Sequence, residues 1–199
     1  MKLIHAKQSD LNDEETLVKQ CRAGNDLARK SLYLVYAKQL LAVCYRYCGD
    51  VDLAHDLLHD GFIKVFTTID RFEWRGKGSL ELWMKSVVAH VCYDYLLAKK
   101  AKNEVELRED NDMDVPDEAT LDDEEGAAQL SESQLMGFIA ELPEGYRMVF
   151  NLFVFEKKTH KEIAEILGIN EHSSTSQLHR AKYMLAKRIN EYIKHEAKK

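Results

Sequence analysis

The side chains best suited to bind another molecule lie near the end of the chain, in the stretch HSSTSQLHRAK. Hydroxyl groups, imidazoles and cations recur there at the spacing of one helical face. Such groups can bond base edges and phosphates when a helix lies in the major groove of duplex DNA. A pair of helices with an ordinary solvated face is the alternative. The candidate duplex-binding residues are His172, Ser173, Thr175, Ser176, His179, Arg180 and Lys182.

A second group of side chains combines aromatic rings with cations, in DRFEWRGKGS and the stretch that follows it. Stacking surfaces beside positive charge suit unpaired nucleic-acid bases. Aromatic residues at helical spacing are also common in protein cores, so the alternative is a structural role. The candidate residues of this group are Phe72, Trp74, Arg75, Lys77, Trp83 and Lys85.

A third group is the polar face formed by Asp56, His59 and Asp60, which are spaced i, i+3 and i+4. Cys44 with Cys48, and His55 with His59, also have i, i+4 spacings that could bind zinc. Because the two pairs fall on separate amphipathic segments, we expect buried thiols and surface imidazoles instead. The sequence contains no Gly-rich phosphate loop, H-E-x-x-H or nucleophile-elbow motif. We therefore expect no enzyme, no metal and no cofactor.

The elements that carry these groups are predicted to be helices throughout. Only 9 Gly and 2 Pro occur in 199 residues, and apolar residues recur at spacings of three and four. The segment from Leu80 to Lys100 is predicted to be a helix whose buried residues are Leu82, Trp83, Val87, Val91 and Leu96. In THKEIAEILGIN, Thr159 and Glu162 form a capping-box pattern and Gly168 can supply a tight turn, which predicts a helix-turn-helix.

The charge distribution divides the chain into three parts. The formal net charge is −6, yet residues 103–132 contain 13 acidic residues and one basic residue, so the flanking parts are each mildly basic. We predict an all-α protein with helical domains at 1–102 and 133–199, joined by a flexible acidic linker at 103–132. The linker is either a solvated tether or a competitor for polyanions. No apolar segment indicates a signal peptide or a membrane span, so we expect a cytoplasmic protein.

Three motifs in a fixed order resemble those of the extracytoplasmic-function sigma factors of the sigma-70 family, which are promoter-recognition subunits of bacterial RNA polymerase. DLLHDGF, starting at Asp56, resembles the family's DLxQExF. DRFEWRGKGSLELWMKSVVAHVCYDYLL resembles DRFRG…SFxxWLxRIxxNxxxDYLR. LPEGYRMVF, with EIAEILGIN and SQLHRAKYML after it, resembles the second domain. The chain departs from the pattern at His59 and Asp60, at His90, and at Ser174, where the family has an apolar residue.

The resemblance implies that residues 1–102 correspond to sigma region 2 and residues 133–199 to region 4. Region 2 would bind core polymerase and the minus-10 element and help to melt DNA, and region 4 would read the minus-35 element. His90 joins Phe72 as a candidate lining residue of a pocket for an unpaired base. Control by an anti-sigma factor is a further implication. The residues implied in polymerase binding are Asp56, Leu57, His59, Asp60 and Phe62.

Two other classes of protein remain as alternatives. A dimeric helix-turn-helix regulator of duplex DNA would account for residues 159–190 but not for the implied polymerase-binding face. A pure interaction protein, such as a sigma-like decoy held by a partner, would bind polymerase without starting transcription. Binding to core polymerase separates the first alternative from a sigma factor, and transcription from a specific promoter separates the second.

Overall fold

The computed structural model describes residues 14–103, 121 and 124–197, and all regular structure within those ranges is helical, which confirms the predicted fold class. Residues 104–120 of the predicted linker lie outside the described part. No described helix combines the length and the low polarity needed to cross a bilayer. The helices are Glu14–Arg22 (α1), Asp26–Cys48 (α2), Val51–Thr68 (α3), Ser79–Asn103 (α4), Glu124–Ala128 (α5), Glu132–Ala140 (α6), Glu144–Val154 (α7), His160–Leu167 (α8) and Glu171–Glu196 (α9), and a 3-10 turn, Ile69–Arg71, follows α3.

The chain packs as two compact units. The first contains the described residues up to Cys44 together with Val51–Cys92, and the second contains Tyr45–Asp50 with the described residues from Tyr93 onward. The sequence pattern did not predict that the short segment Tyr45–Asp50 would pack with the second unit.

The buried side of α4 differs from the predicted one. Leu80, Met84 and Val88 are fully buried, whereas Leu82 is 70% exposed and Trp83 is only half-buried. Positions four residues apart stack along one helix face, so the stripe that starts at Leu80 places Leu82 on the opposite side. The prediction that Leu82 is buried is therefore wrong, and its side chain is available at the surface of the first unit.

The core of the second unit forms around α9. Phe138 and Ile139 of α6, Leu142 and Tyr146 pack with Ala181 and Leu185 of α9. Helix α6 begins at a capping box, in which the Ser131 hydroxyl accepts the N–H of Gln134 and the Gln134 side chain accepts the N–H of Ser131. The apolar stripe of α9 thus faces inward, which leaves its polar face toward solvent.

Arg147 of α7 joins two helix ends inside the second unit. Its Nε donates to the carbonyl of Tyr47 at 2.8 Å and its Nη2 to that of Cys48 at 3.0 Å. Its Nη1 donates to the carbonyls of Ala140 at 2.6 Å and Leu142 at 3.0 Å. The last carbonyls of a helix have no partner within the helix, so the buried guanidinium supplies the missing donors. Burial lowers the pKa of Arg147 from its ordinary value.

Gly49 makes this arrangement possible. Its φ of +70° lies in the left-handed region that favours glycine. A Cβ at this position would lie 2.6 Å from Nη1 of Arg147 and 2.8 Å from the carbonyl oxygen of Ala140. Both distances are shorter than real contacts, so a larger residue would displace the guanidinium.

We predict that Arg147→Met and Gly49→Ala each lower the free energy of unfolding of the second unit. Arg147→Met leaves buried carbonyls without donors, at a cost on the order of 3 kcal/mol. Gly49→Ala adds backbone strain and a steric clash to the same site. Urea unfolding followed by circular dichroism measures both effects, with the exposed Arg75→Met as the control. Midpoints equal to the control's would contradict this role for Arg147.

Candidate nucleic-acid interface

The loop between the 3-10 turn and α4 is closed by its own polar groups. The N–H of Arg75 donates to Oγ of Ser79 at 3.1 Å, and that hydroxyl donates to the carbonyl of Gly76 at 2.6 Å. Trp74, Arg75 and Lys77 are exposed on this loop, as a nucleic-acid-binding loop requires. The aromatic and basic residues predicted from the sequence therefore lie on a turn of defined shape.

Helix α1 holds both ends of this loop. Arg22 donates to the carbonyl of Ile69 at 3.1 Å and to the carbonyl of Phe72. The Glu14 carboxylate accepts the N–H of Gly78 at 2.8 Å and the hydroxyl of Tyr36 at 3.2 Å. Burial, together with the nearby Glu14, raises the pKa of Tyr36 to about 12, so its hydroxyl keeps the proton it donates. Sequence reasoning missed Glu14 and Arg22, because nothing in a short amphipathic helix indicates a partner 50 residues away.

A cavity of about 760 Å³ opens beside the loop. Phe72 and Trp83 form an aromatic wall, with ring centroids 5.1 Å apart and planes tilted by 43°. Phe72 itself is only 4% exposed, so it contributes to the wall and not to a free stacking surface. The lining residues are Arg71, Phe72, Glu73, Arg75, Lys77, Ser79, Leu82 and Trp83. Aromatic surface beside three cations matches what an unpaired base and its phosphates need.

The structure separates some predicted residues from this cavity. His90 is not among the described residues that line it, so the shared pocket of Phe72 and His90 stays a prediction that this cavity does not support. His90 lies two helical turns beyond Trp83, about 10 Å along α4, and its Nδ1 is 2.6 Å from the carbonyl oxygen of Ser86. Lys85 forms an ion pair with Glu81 at 2.6 Å.

The predicted polymerase-binding residues divide into two groups on α3. Asp56, His59 and Asp60 are exposed along one face. Leu57 and Phe62 are 1% and 3% exposed, and the Phe62 ring packs against Tyr33. These two side chains face the core because α3 is amphipathic, so they can support a binding face but cannot themselves contact a partner.

The residues of the zinc alternative do not come together. Cys44 and Cys48 are buried, whereas His55 and His59 are exposed on α3, as expected from the sequence. No cluster of three or more potential ligands occurs among the described residues.

Helices α8 and α9 form the predicted helix-turn-helix. The Thr159 hydroxyl accepts the N–H of Glu162 at 3.2 Å, and the Glu162 carboxylate accepts the N–H of Thr159 at 2.8 Å. The latter bond is the main reason that the pKa of Glu162 is lowered. Gly168, with φ of +65°, ends α8 in the left-handed region. The Asn170 side chain then accepts the N–H of Ser173 at 2.6 Å and starts α9.

The candidate duplex-binding residues all lie on α9, outside its apolar stripe. His172, Thr175 and Lys182 are exposed, and Ser173, Ser176, His179 and Arg180 are partly exposed. Nη1 of Arg180 lies 3.5 Å from the Tyr146 hydroxyl of α7, which restrains the guanidinium near the surface. The inward stripe consists of Ser174, Leu178, Ala181 and Leu185. The geometry thus presents one continuous polar and basic face to solvent.

Comparison with known proteins gives two matched regions in this chain. Residues 32–102 match the family described as Sigma-70 region 2, and residues 132–185 match Sigma-70, region 4. Together the two matches cover more than half of the chain. The ECF RNA polymerase sigma factor SigW of Bacillus subtilis is 27% identical over 179 residues, which are 86% of this chain and 94% of that protein. The ECF RNA polymerase sigma-E factor of Haemophilus influenzae is 25% identical over 188 residues, 88% of this chain and 95% of that protein.

A solved structure that is similar to this chain is CnrH in complex with the cytosolic domain of CnrY, with 17% identity, a TM-score of 0.44 and coverage of 87% of this chain and 95% of that one. From the two matched regions and the two sequence relatives, the chain belongs to the sigma-70 family of RNA polymerase sigma factors, in its extracytoplasmic-function group, and is a transcription initiation factor rather than an enzyme.

Proposed function

We propose that this chain binds core RNA polymerase, recognises the minus-10 and minus-35 elements of its promoters and helps to melt the DNA. The observation that carries this proposal is the presence in one chain of two differently built nucleic-acid faces. One is the aromatic and basic cavity of the first unit, and the other is the polar face of α9. We assign residues 1–102 to polymerase and minus-10 binding, 103–132 to the acidic linker and 133–199 to minus-35 binding.

The face of α9 suits duplex DNA. An α-helix fits the major groove of B-DNA, where hydroxyl, imidazole and guanidinium groups can distinguish base edges. The turn fixed by Gly168 and Asn170 places Ser173, Thr175 and Ser176 within the first two turns of α9. The N-terminal part of a recognition helix makes most base contacts, so these residues are the proposed readers of the minus-35 element.

The cavity beside the loop suits an unpaired base of the minus-10 element. Extruding a base from duplex DNA costs a few kcal/mol. Stacking on an aromatic surface returns roughly 1–3 kcal/mol per base. Trp83 provides that surface and Phe72 supports it from behind, while Arg75 and Lys77 at the cavity offer cations for the backbone. Polymerase carries out the chemistry, so the chain needs no catalytic residue.

The exposed face of α3 is the proposed contact with core polymerase. Asp56 and Asp60 give it negative charge, and His59 lies between them. Leu57 and Phe62 anchor the helix from the inside. Family membership supports two further parts of the proposal, which are an anti-sigma factor as the regulator and a cytoplasmic location, where polymerase acts.

Run-off transcription with purified core polymerase tests the function as a whole. A genomic library of promoter fragments should yield discrete products only when this chain is present. Products independent of the chain, or none from any fragment, would contradict the proposal. Binding to duplex DNA without binding to polymerase would favour the dimeric regulator instead.

We predict that Arg180→Ala and Asp60→Lys impair different steps. Arg180→Ala should weaken minus-35 duplex binding by about 1–3 kcal/mol, because a base or phosphate contact is lost. Asp60→Lys should weaken association with core polymerase and leave duplex binding by the free chain unchanged. Fluorescence anisotropy and polymerase pull-down measure the two steps. Arg188→Ala is the matched control on α9, because the Arg188 side chain is already paired with Glu141 at 2.7 Å. Equal damage to both steps by Arg180→Ala or by Asp60→Lys would refute the assignment.

We also predict that Trp83 reports the captured base. The chain has two tryptophans, so Trp74→Phe leaves Trp83 as the sole indole emitter. A single-stranded oligonucleotide of the minus-10 non-template strand should quench this emission in the free chain, because a base stacks beside the indole. Replacing Arg75 and Lys77 together by Ala should weaken the quenching, and replacing exposed Lys64 should not. Unchanged emission at saturating oligonucleotide would exclude base capture in this cavity.

A further inference from the structure

Ser174 is a polar residue within the apolar stripe of α9. It is 0% exposed, and the buried residues that follow it on the same face are Leu178, Ala181 and Leu185. A buried hydroxyl costs free energy unless it forms a hydrogen bond. Its Oγ lies 2.9 Å from Nδ1 of His160, so this imidazole satisfies the hydroxyl.

The bond between His160 and Ser174 joins the two helices of the helix-turn-helix. His160 is the first residue of α8, and Ser174 is the fourth residue of α9. The imidazole also stacks on Phe153 of α7, with ring centroids 4.8 Å apart and planes within 23°. Nζ of Lys182, on α9, lies 5.9 Å from the centroid of the Phe153 ring. The first turns of α8 and α9 are therefore fixed to each other and to α7 at one point.

Either group can donate in this hydrogen bond, because the tautomer of the imidazole decides the roles. The backbone N–H of Ser174 donates separately to the carbonyl of Asn170 at 3.1 Å, as part of the ordinary hydrogen bonding of α9. The side-chain contact is therefore additional to the backbone bonds of α9 and joins this helix to α8.

We propose that the His160–Ser174 pair is the positioning contact that sets the orientation of α9 on the minus-35 duplex. The inference rests on the proposed reading of that duplex by α9. Ser173, Thr175 and Ser176 flank the buried hydroxyl, so a change of helix tilt at Ser174 displaces all three proposed base readers together. Binding sites tolerate displacements of only about 0.5 Å in such groups, and the pair therefore controls specificity without touching DNA.

The test compares Ser174→Val, His160→Phe and the double variant in the full chain, with His195→Phe as control. His195 lies at the exposed end of α9, far from the turn. The probes are a fluorescein-labelled duplex selected from a random pool by the holoenzyme and a scrambled duplex of equal length. Each single variant should bind the selected duplex about tenfold more weakly and bind the scrambled duplex as before. The double variant should bind better than either single one, because Phe and Val pack without an unpaired polar group.

Thermal melting first checks that the variants are folded. Three outcomes then overturn the inference. In the first, the single variants bind the selected duplex as tightly as His195→Phe does. In the second, they lose equal affinity for both duplexes, and in the third, the losses of affinity multiply in the double variant. A wild-type chain that does not distinguish the two duplexes would instead overturn the proposed function. Nitrogen NMR of labelled histidine gives an independent readout. The Nδ1 resonance of His160 should shift in Ser174→Val and stay in place in His195→Phe, and an unchanged resonance in Ser174→Val would overturn the inferred contact.

Discussion

The short connection between α8 and α9 determines how the second unit can meet DNA. Thr159 and Glu162 satisfy each other at the start of α8, the left-handed Gly168 ends it, and Asn170 caps α9 two residues later. Each of these caps supplies a hydrogen-bond partner for backbone groups that would otherwise be unpaired at a helix end. Because the three caps fix the turn, α9 has one direction in which to pack its apolar stripe against α6 and α7. The outward direction of the polar face follows from this packing and not from any preference of the polar residues themselves.

In the first unit, charged side chains fix the shape of the loop between the 3-10 turn and α4. A loop that accepts a base must keep its shape while exposing aromatic and basic groups, and only part of its backbone can bond within the loop. Arg22 and Glu14 supply the missing donor and acceptor from α1. Since Leu17, Val18 and Cys21 of the same helix are buried in the core, the loop is attached to an element that cannot move independently. The cavity at Phe72 and Trp83 is thereby formed before any ligand arrives, which reduces the cost of ordering it on binding.

Local signals were sufficient for the helices and for the face of α9. The limits of α2 and the turn at Gly168 follow from caps and glycines within a few residues of the helix ends. The face that α4 buries was predicted one register away, because several apolar residues offer two plausible stripes and only packing decides between them. Leu57 and Phe62 match a family motif that does not distinguish supporting residues from contacting ones. Glu14, Arg22 and Arg147 each form a hydrogen bond to a residue 47 to 100 positions away, and such bonds leave no periodic pattern in the sequence.

The hydrogen bonds of Arg147 also constrain how this sequence can vary. The guanidinium fills the space above Gly49, and its planar fork reaches four carbonyls on two helix ends. Lysine has three donors on one nitrogen and cannot span both ends, so it is a poor substitute here. A side chain at position 49 needs a smaller residue at 147, and a smaller residue at 147 leaves the carbonyls open to water or to a new donor. The two positions are therefore energetically coupled, so a sequence that loses the glycine must also rebuild the donor set.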